Sequence, residues 1–266
     1  MSHIALIARQ RSGTNALGSA LNNHPDIFYL NEVFHDHPLI KGRLDGGLTI
    51  YNYFYFITQV YNKSISDLCN IREVFDLYIQ YISSNSNKKI NIIDIKYNSL
   101  ANLSYPWRGP LEPPAIFRLL NENSIPVIRI TRINYLAAYI SFKTSEKTGV
   151  LHKSKIENNE TMVIDVDVQD MFSTFNIWGK EDDLIDEWLS ICYSVVTFDY
   201  SSIFESDGSL SGVVSRAISS LFPGLEVGGL RPGLLKINTR PMYETVRNFD
   251  EVAGALRRTR HAWMLD

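Results

Sequence analysis

Residues His3 to Phe34, HIALIARQRSGTNALGSALNNHPDIFYLNEVF, constrain the fold more than any other stretch. Ile4 to Ala8 is a short apolar run of the kind that forms a fully buried strand. The polar loop Arg9-Gln10-Arg11-Ser12-Gly13-Thr14-Asn15 follows, and then a segment with helical periodicity in which Leu17, Ala20 and Leu21 share a face. A strand that runs through such a loop into a helix offers unpaired backbone N–H groups at the positive end of a helix dipole. That arrangement is an anion site, suited to phosphate or sulfate. Gly13 lets the backbone approach the anion, and Thr14 is placed to cap the helix and donate its hydroxyl. Pro25 ends the helix at His24. Ile27 to Leu30 then forms a second strand, which brings Glu32 to the sheet edge where α/β folds bind ligands. On these residues alone, a solvated loop charge is the better reading of Glu32.

The loop differs from the nucleotide triphosphatase pattern GxxxxGK[ST]. Thr14 stands where the lysine belongs and Ala8 where the first glycine would be, and the cation has moved to Arg11. Hydrolysis of ATP or GTP is disfavoured. Asp94, inside the strand Ile90–Ile95, invites reading as a magnesium-holding carboxylate, but without the loop lysine that reading has little weight. A second anion signal lies in IPVIRITRINYLAAYISFKTSEKTGVLH, from Ile125 to His152. Pro126 to Thr131 is a strand, and Asn134 is placed to cap the next helix. Asn134 and Ser141, seven apart, share a helix face. An arginine at the strand end, Arg132, with the Ser141 hydroxyl two turns along, makes a fork-and-donor grip on a phosphate.

RSGTN after a buried strand resembles the 5′-phosphosulfate loop of sulfotransferases that use 3′-phosphoadenosine-5′-phosphosulfate (PAPS). Arg132, Asn134, Leu136 and Ser141 match the R-x-N-x-L-x4-S motif of the nodulation and glycolipid type, and Thr148-Gly149 followed by His152 is similar to its trailer. The resemblance implies a PAPS-dependent sulfotransferase covering residues 1–266 as one domain. Its expected fold is a P-loop-like α/β three-layer sandwich with a central parallel sheet. By the same resemblance Glu32 is the general base, with nearby cations keeping it ionised. Arg11 and Lys96 are catalytic cations; Lys96 ends its strand, where a solvated lysine is the other reading. Arg11, Ser12, Gly13, Thr14 and Asn15 hold the 5′-phosphosulfate, and Arg132 and Ser141 the 3′-phosphate. His35, His37 and His152 are reserve candidates for proton transfer, and Arg231 and Lys236 for contacts to phosphate. The segment Phe198-Asp199-Tyr200 resembles a weaker family element.

Strands are expected near 4–8, 27–30, 90–95, 126–131 and 195–200, with both anion loops on one sheet edge. A further strand is expected at Met162–Val166, and helices at Ile71–Ile82, from Val168, and at Gly212–Leu221. The 266 residues are 45% apolar, enough for a large core, and no run is long enough to cross a membrane. The N-terminus enters a strand at once, which leaves no room for a signal peptide. The two cysteines, Cys69 and Cys192, make neither a disulfide framework nor a metal site, so no metal is expected and the cytoplasm is the expected compartment. A net charge of -3 argues against nucleic acid as a partner. The family resemblance implies a small-molecule or glycan acceptor, met by residues 35–70 and 100–115, and homo-oligomerisation stays open. The aromatic run Tyr51 to Phe56 reads as core for the most part. Two alternatives remain, a P-loop nucleotide kinase or hydrolase and a non-catalytic protein that binds PAPS or its product.

Overall fold

The structure, a computed structural model, describes residues 2–35, 42–43, 49–62, 70–103, 109, 112–148, 163–233 and 240–265. In chain order the elements are β1 (Ser2–Ala8), α1 (Thr14–Leu21), β2 (Ile27–Tyr29), and an antiparallel pair, β3 (Gly42–Arg43) and β4 (Thr49–Ile50). Then come α2 (Tyr53–Tyr55), which runs into a π-helical turn (Phe56–Val60), α3 (Ile71–Asn85), β5 (Ile90–Lys96) and a 3-10 segment (Tyr97–Leu103). The rest are α4 (Ala115–Glu122), β6 (Val127–Thr131), α5 (Tyr135–Thr148), α6 (Val168–Leu189), β7 (Val195–Asp199), α7 (Gly212–Leu221), α8 (Met242–Thr245) and α9 (Phe249–Leu256). Two compact units result: residues 1–131 with 187–232, and residues 132–186 with 233–266.

The first unit is built on a five-stranded, all-parallel sheet in the order β2-β5-β1-β6-β7. The strands expected near 4–8, 27–30, 90–95, 126–131 and 195–200 are the five of this sheet. Parallel strands are covered on both faces, which is why β1 and β5 read as near-continuous apolar runs. On one face Ile4, Leu6, Ile90, Ile92, Ile128 and Ile130 pack with Leu17 and Leu21 of α1 and with Val214 and Ile218 of α7. The alternate residues turn to the other face. There His3 bonds Ser83 of α3 at 2.9 Å and Asn91 of β5 bonds Ser86 at 2.7 Å. Burial pushes the His3 imidazole down to about 4, so the Ser83 contact is made by a neutral ring. Helices on both faces of a parallel sheet complete the expected three-layer sandwich.

The order of the strands reverses at β1, which has β5 on one side and β6 on the other, and this switch point is where such sheets open a crevice. Ala8 pairs with Lys96 and with Ile130, so the loops after β1, β5 and β6 leave the same edge.

The second unit has its own core. Leu136, Tyr139 and Ile140 of α5 pack with Met171 and Phe175 of α6 and with Val252 and Leu256 of α9. The sequence led to a strand at Met162–Val166. Met162 lies outside the described residues, and among the others only Ile164 makes a bridge, to Val246. The helix expected from Val168 is the 22-residue α6, which continues through Gly179 to Leu189. Among the described residues no helix is long and apolar enough to cross a membrane.

Candidate active site

The loop after β1 turns sharply. Arg11 has φ 65 and Gly13 φ 81, both left-handed. Only glycine fits the second position, because a Cβ there would come within 2.4 Å of the Tyr200 ring as well as straining the backbone. Tyr200 follows β7 and lies against the loop. The glycine is therefore demanded by this ring, in addition to any ligand. Gly13 is also the N-cap of α1 and no side chain caps the helix, so Thr14 does not have the capping role the sequence suggested. Instead Thr14 is buried in the first turn, and its hydroxyl accepts a hydrogen bond from Lys96 Nζ.

Lys96 is the hub of a buried polar cluster at the carboxyl edge. Its ammonium lies 2.6 and 2.8 Å from the two oxygens of Asp94, which is wholly buried, and 3.7 Å from Glu32 Oε1. The Tyr29 hydroxyl is 2.5 Å from Asp94 Oδ2 and 2.7 Å from Asn15 Oδ1. The phenol thus faces two acceptors, the Asp94 carboxylate and the Asn15 amide oxygen, and the charged one is the stronger partner for its proton. Burial, and after it the charge of Asp94, holds the Tyr29 phenol well above its ordinary pKa.

Local sequence explains why these groups meet. β2 pairs in parallel with β5 (Tyr29 beside Ile92), and the pairing continues as Leu30 N–H donates to Ile92 O and Asp94 N–H to Asn31 O. Asn31 then turns with φ 57, and Glu32 arrives beside the end of β5. Gly18, inside α1, has no side chain because the Tyr29 ring occupies the space; a Cβ would lie 2.5 Å from it. That glycine weakens the helix by about 1 kcal/mol relative to alanine, and it lets Tyr29 reach Asp94.

Glu32 is partly buried, and its pKa is raised. Burial is the largest cause, Lys96 opposes it, Asp94 adds to it and His35 opposes it. Lys96 is a nearby cation of the kind the sequence led one to expect, and desolvation of the Glu32 carboxyl outweighs its effect. The Arg11 guanidinium is half-buried; burial lowers its pKa and the Tyr200 hydroxyl opposes that. It stays cationic at neutral pH. Ser12 is buried in the same loop.

The structure thus brings together Thr14, Asn15, Glu32 and Lys96 in the first unit, with Arg11, Ser12 and Gly13 in the adjoining loop. Arg132 follows the last residue of β6 and opens the second unit, where Ser141 lies on α5. Asn134 caps α5 as expected, with its Oδ1 accepting from Ala137 N–H at 2.9 Å. Arg231 is exposed and pairs with Asp207 at 2.7 Å. His37, His152 and Lys236 lie outside the described residues. Within the aromatic run Tyr53 and Phe56 are core and pack edge-on or tilted against Tyr78, while Tyr51, Phe54 and Tyr55 are only half-buried.

Sequence reasoning missed Tyr29, named Tyr200 only within a segment resembling a family element, and left Asp94 without a role once the magnesium reading was given little weight. It also missed two buried cations, Arg9 and Arg129, on either side of Tyr97. The Arg9 guanidinium sits 5.3 Å from the Tyr97 ring centre, and Arg129 Nε donates to its hydroxyl at 3.3 Å. A glycine inside a helical pattern, Gly18, was the one signal available for Tyr29. Among the described residues no group of three or more His, Cys, Asp or Glu side chains is placed to hold a metal ion.

No protein-family model matches the chain, and no curated protein matches it. One solved structure similar in outline is a sulfotransferase from Alicyclobacillus acidocaldarius, 11% identical, with a TM-score of 0.47 over 97% of this chain and 95% of that one. A likeness at that level leaves function to be argued from the site.

Proposed function

We propose that the chain, acting as one functional domain over residues 1–266, transfers a sulfuryl group from PAPS to a hydroxyl of a small-molecule or glycan acceptor. A carbohydrate or glycolipid is the first candidate. One observation carries the reading: Glu32, Lys96 and Thr14 meet at the carboxyl edge of a parallel sheet, where the loop of Arg11 to Asn15 enters α1. A base, a cation and an anion-binding loop are the parts such a transfer needs. The acceptor oxygen gives its proton to Glu32 and bonds to sulfur, while the bond from sulfur to the 5′-phosphate oxygen breaks. The products are a sulfate ester and 3′-phosphoadenosine-5′-phosphate (PAP). Arg11 stabilises the oxygen that departs, Lys96 offsets charge near the sulfuryl group, and the loop N–H groups fix the geometry.

The 3′-phosphate falls to Arg132 and Ser141, on the strength of their motif. Arg132→Ala then removes a charge-assisted contact of about 1.5–3 kcal/mol, which lowers PAPS affinity roughly ten- to hundredfold. Adenosine-5′-phosphosulfate, which lacks the 3′-phosphate, binds wild type and variant alike. Titration of both nucleotides into both proteins checks this, and unchanged PAPS affinity in the variant removes the assignment. A magnesium-dependent kinase or hydrolase is less compatible with the site. The carboxylate that would hold the metal, Asp94, already has both oxygens engaged by Lys96 and one also by Tyr29.

A further inference from the structure

The Lys96 ammonium has three protons, and three acceptors lie around it: both oxygens of Asp94 and the Thr14 hydroxyl. Glu32 Oε1, at 3.7 Å, is beyond hydrogen-bonding distance. Both ends of this arrangement are fixed. Asp94 is wholly buried in β5 and receives the Tyr29 proton, and the Tyr29 ring is seated on Gly18. Glu32 is therefore drawn to Lys96 by charge and is not locked to it.

We propose that Asp94 is a positioning residue for the reaction: by taking two of the three Lys96 protons, it holds the ammonium out of hydrogen-bonding reach of Glu32 and leaves that carboxylate available to accept a proton. The same charge also opposes the effect of Lys96 on Glu32. The groups that act on Glu32 are Lys96 and Asp94 from β5 and His35 from its own segment, with the Tyr29 phenol close by. Asp94 stands on the side that makes Glu32 a stronger base. Without it the ammonium turns to Glu32, forms a close ion pair and weakens the base. The role of Glu32 as base belongs to the proposed sulfuryl transfer, so the inference rests on that reading, but its test does not.

The test is the titration of Glu32 by carbon-13 carboxyl NMR in nucleotide-free protein, the signal being assigned with Glu32→Gln. In wild type Glu32 titrates above the ordinary carboxylate range. In Asp94→Asn, which keeps the shape and removes the charge, its midpoint falls by on the order of one pH unit. The acid limb of kcat/KM moves down by a similar amount, and PAP affinity is kept. A midpoint in Asp94→Asn equal to that of wild type overturns the proposal. So does a wild-type midpoint at or below the ordinary range, which decides the matter even where the variant does not fold. Should the midpoints move as expected while wild type shows no transfer from PAPS, the proposed reaction fails and the geometry of the ion pair stands.

Discussion

Glu32→Gln transfers sulfate about a hundredfold more slowly than wild type, or worse, and binds PAP as tightly. The amide keeps the shape of the carboxylate, and loses the ability to take a proton together with the charge that draws it to Lys96. Binding is preserved because the proposed nucleotide contacts belong to Arg11–Asn15, Arg132 and Ser141. Because burial raises the Glu32 pKa, the wild-type rate falls on acidification at a higher pH than an ordinary carboxylate would give. Initial rates with labelled PAPS and an acceptor found by screening sugars, glycolipids and phenols measure both effects. An amide variant as fast as wild type leaves Glu32 a loop charge and moves attention to His35.

The second large effect is on stability. Lys96→Met removes the positive partner of a carboxylate with no access to water, and such a loss costs about 3–5 kcal/mol. The cost comes from Asp94, which stays buried with its charge uncompensated. Removing the second charge as well, Lys96→Met with Asp94→Asn, restores much of that stability, because the amide carries no charge and still accepts from the Tyr29 hydroxyl. Urea unfolding of the two singles and the double reads the coupling directly. Additive losses would mean that the two side chains do not act as a pair.

The framework of this site was legible because it depends on local signals. Alternating or continuous apolar runs marked the five strands, Gly13 marked the turn, and Asn134 marked the start of α5. Ser211 acts in the same way at the predicted helix Gly212–Leu221, accepting from Val214 N–H. The pairing of charges was not legible. Asp94 and Lys96 are neighbours on one strand face, but Tyr29 and Thr14 join them from 65 and 82 positions away, brought there by strand order and register. Tyr200 reaches Gly13 from the far end of the chain in the same way. Arg9 and Arg129 drew no role from the sequence because nothing in it shows that both meet Tyr97. The sign of the shift at Glu32 depended on burial, which the resemblance to a family motif does not convey.

The central claim is that the chain binds a nucleotide carrying both a 5′- and a 3′-phosphate through loops at the carboxyl edge of the sheet. Isothermal titration calorimetry with PAP and with ATP, each with and without magnesium, tests it most directly. The account predicts that PAP binds without magnesium, that Arg132→Ala weakens this binding, and that ATP binds far more weakly under every condition. Tight, magnesium-dependent binding of ATP with no binding of PAP would contradict it.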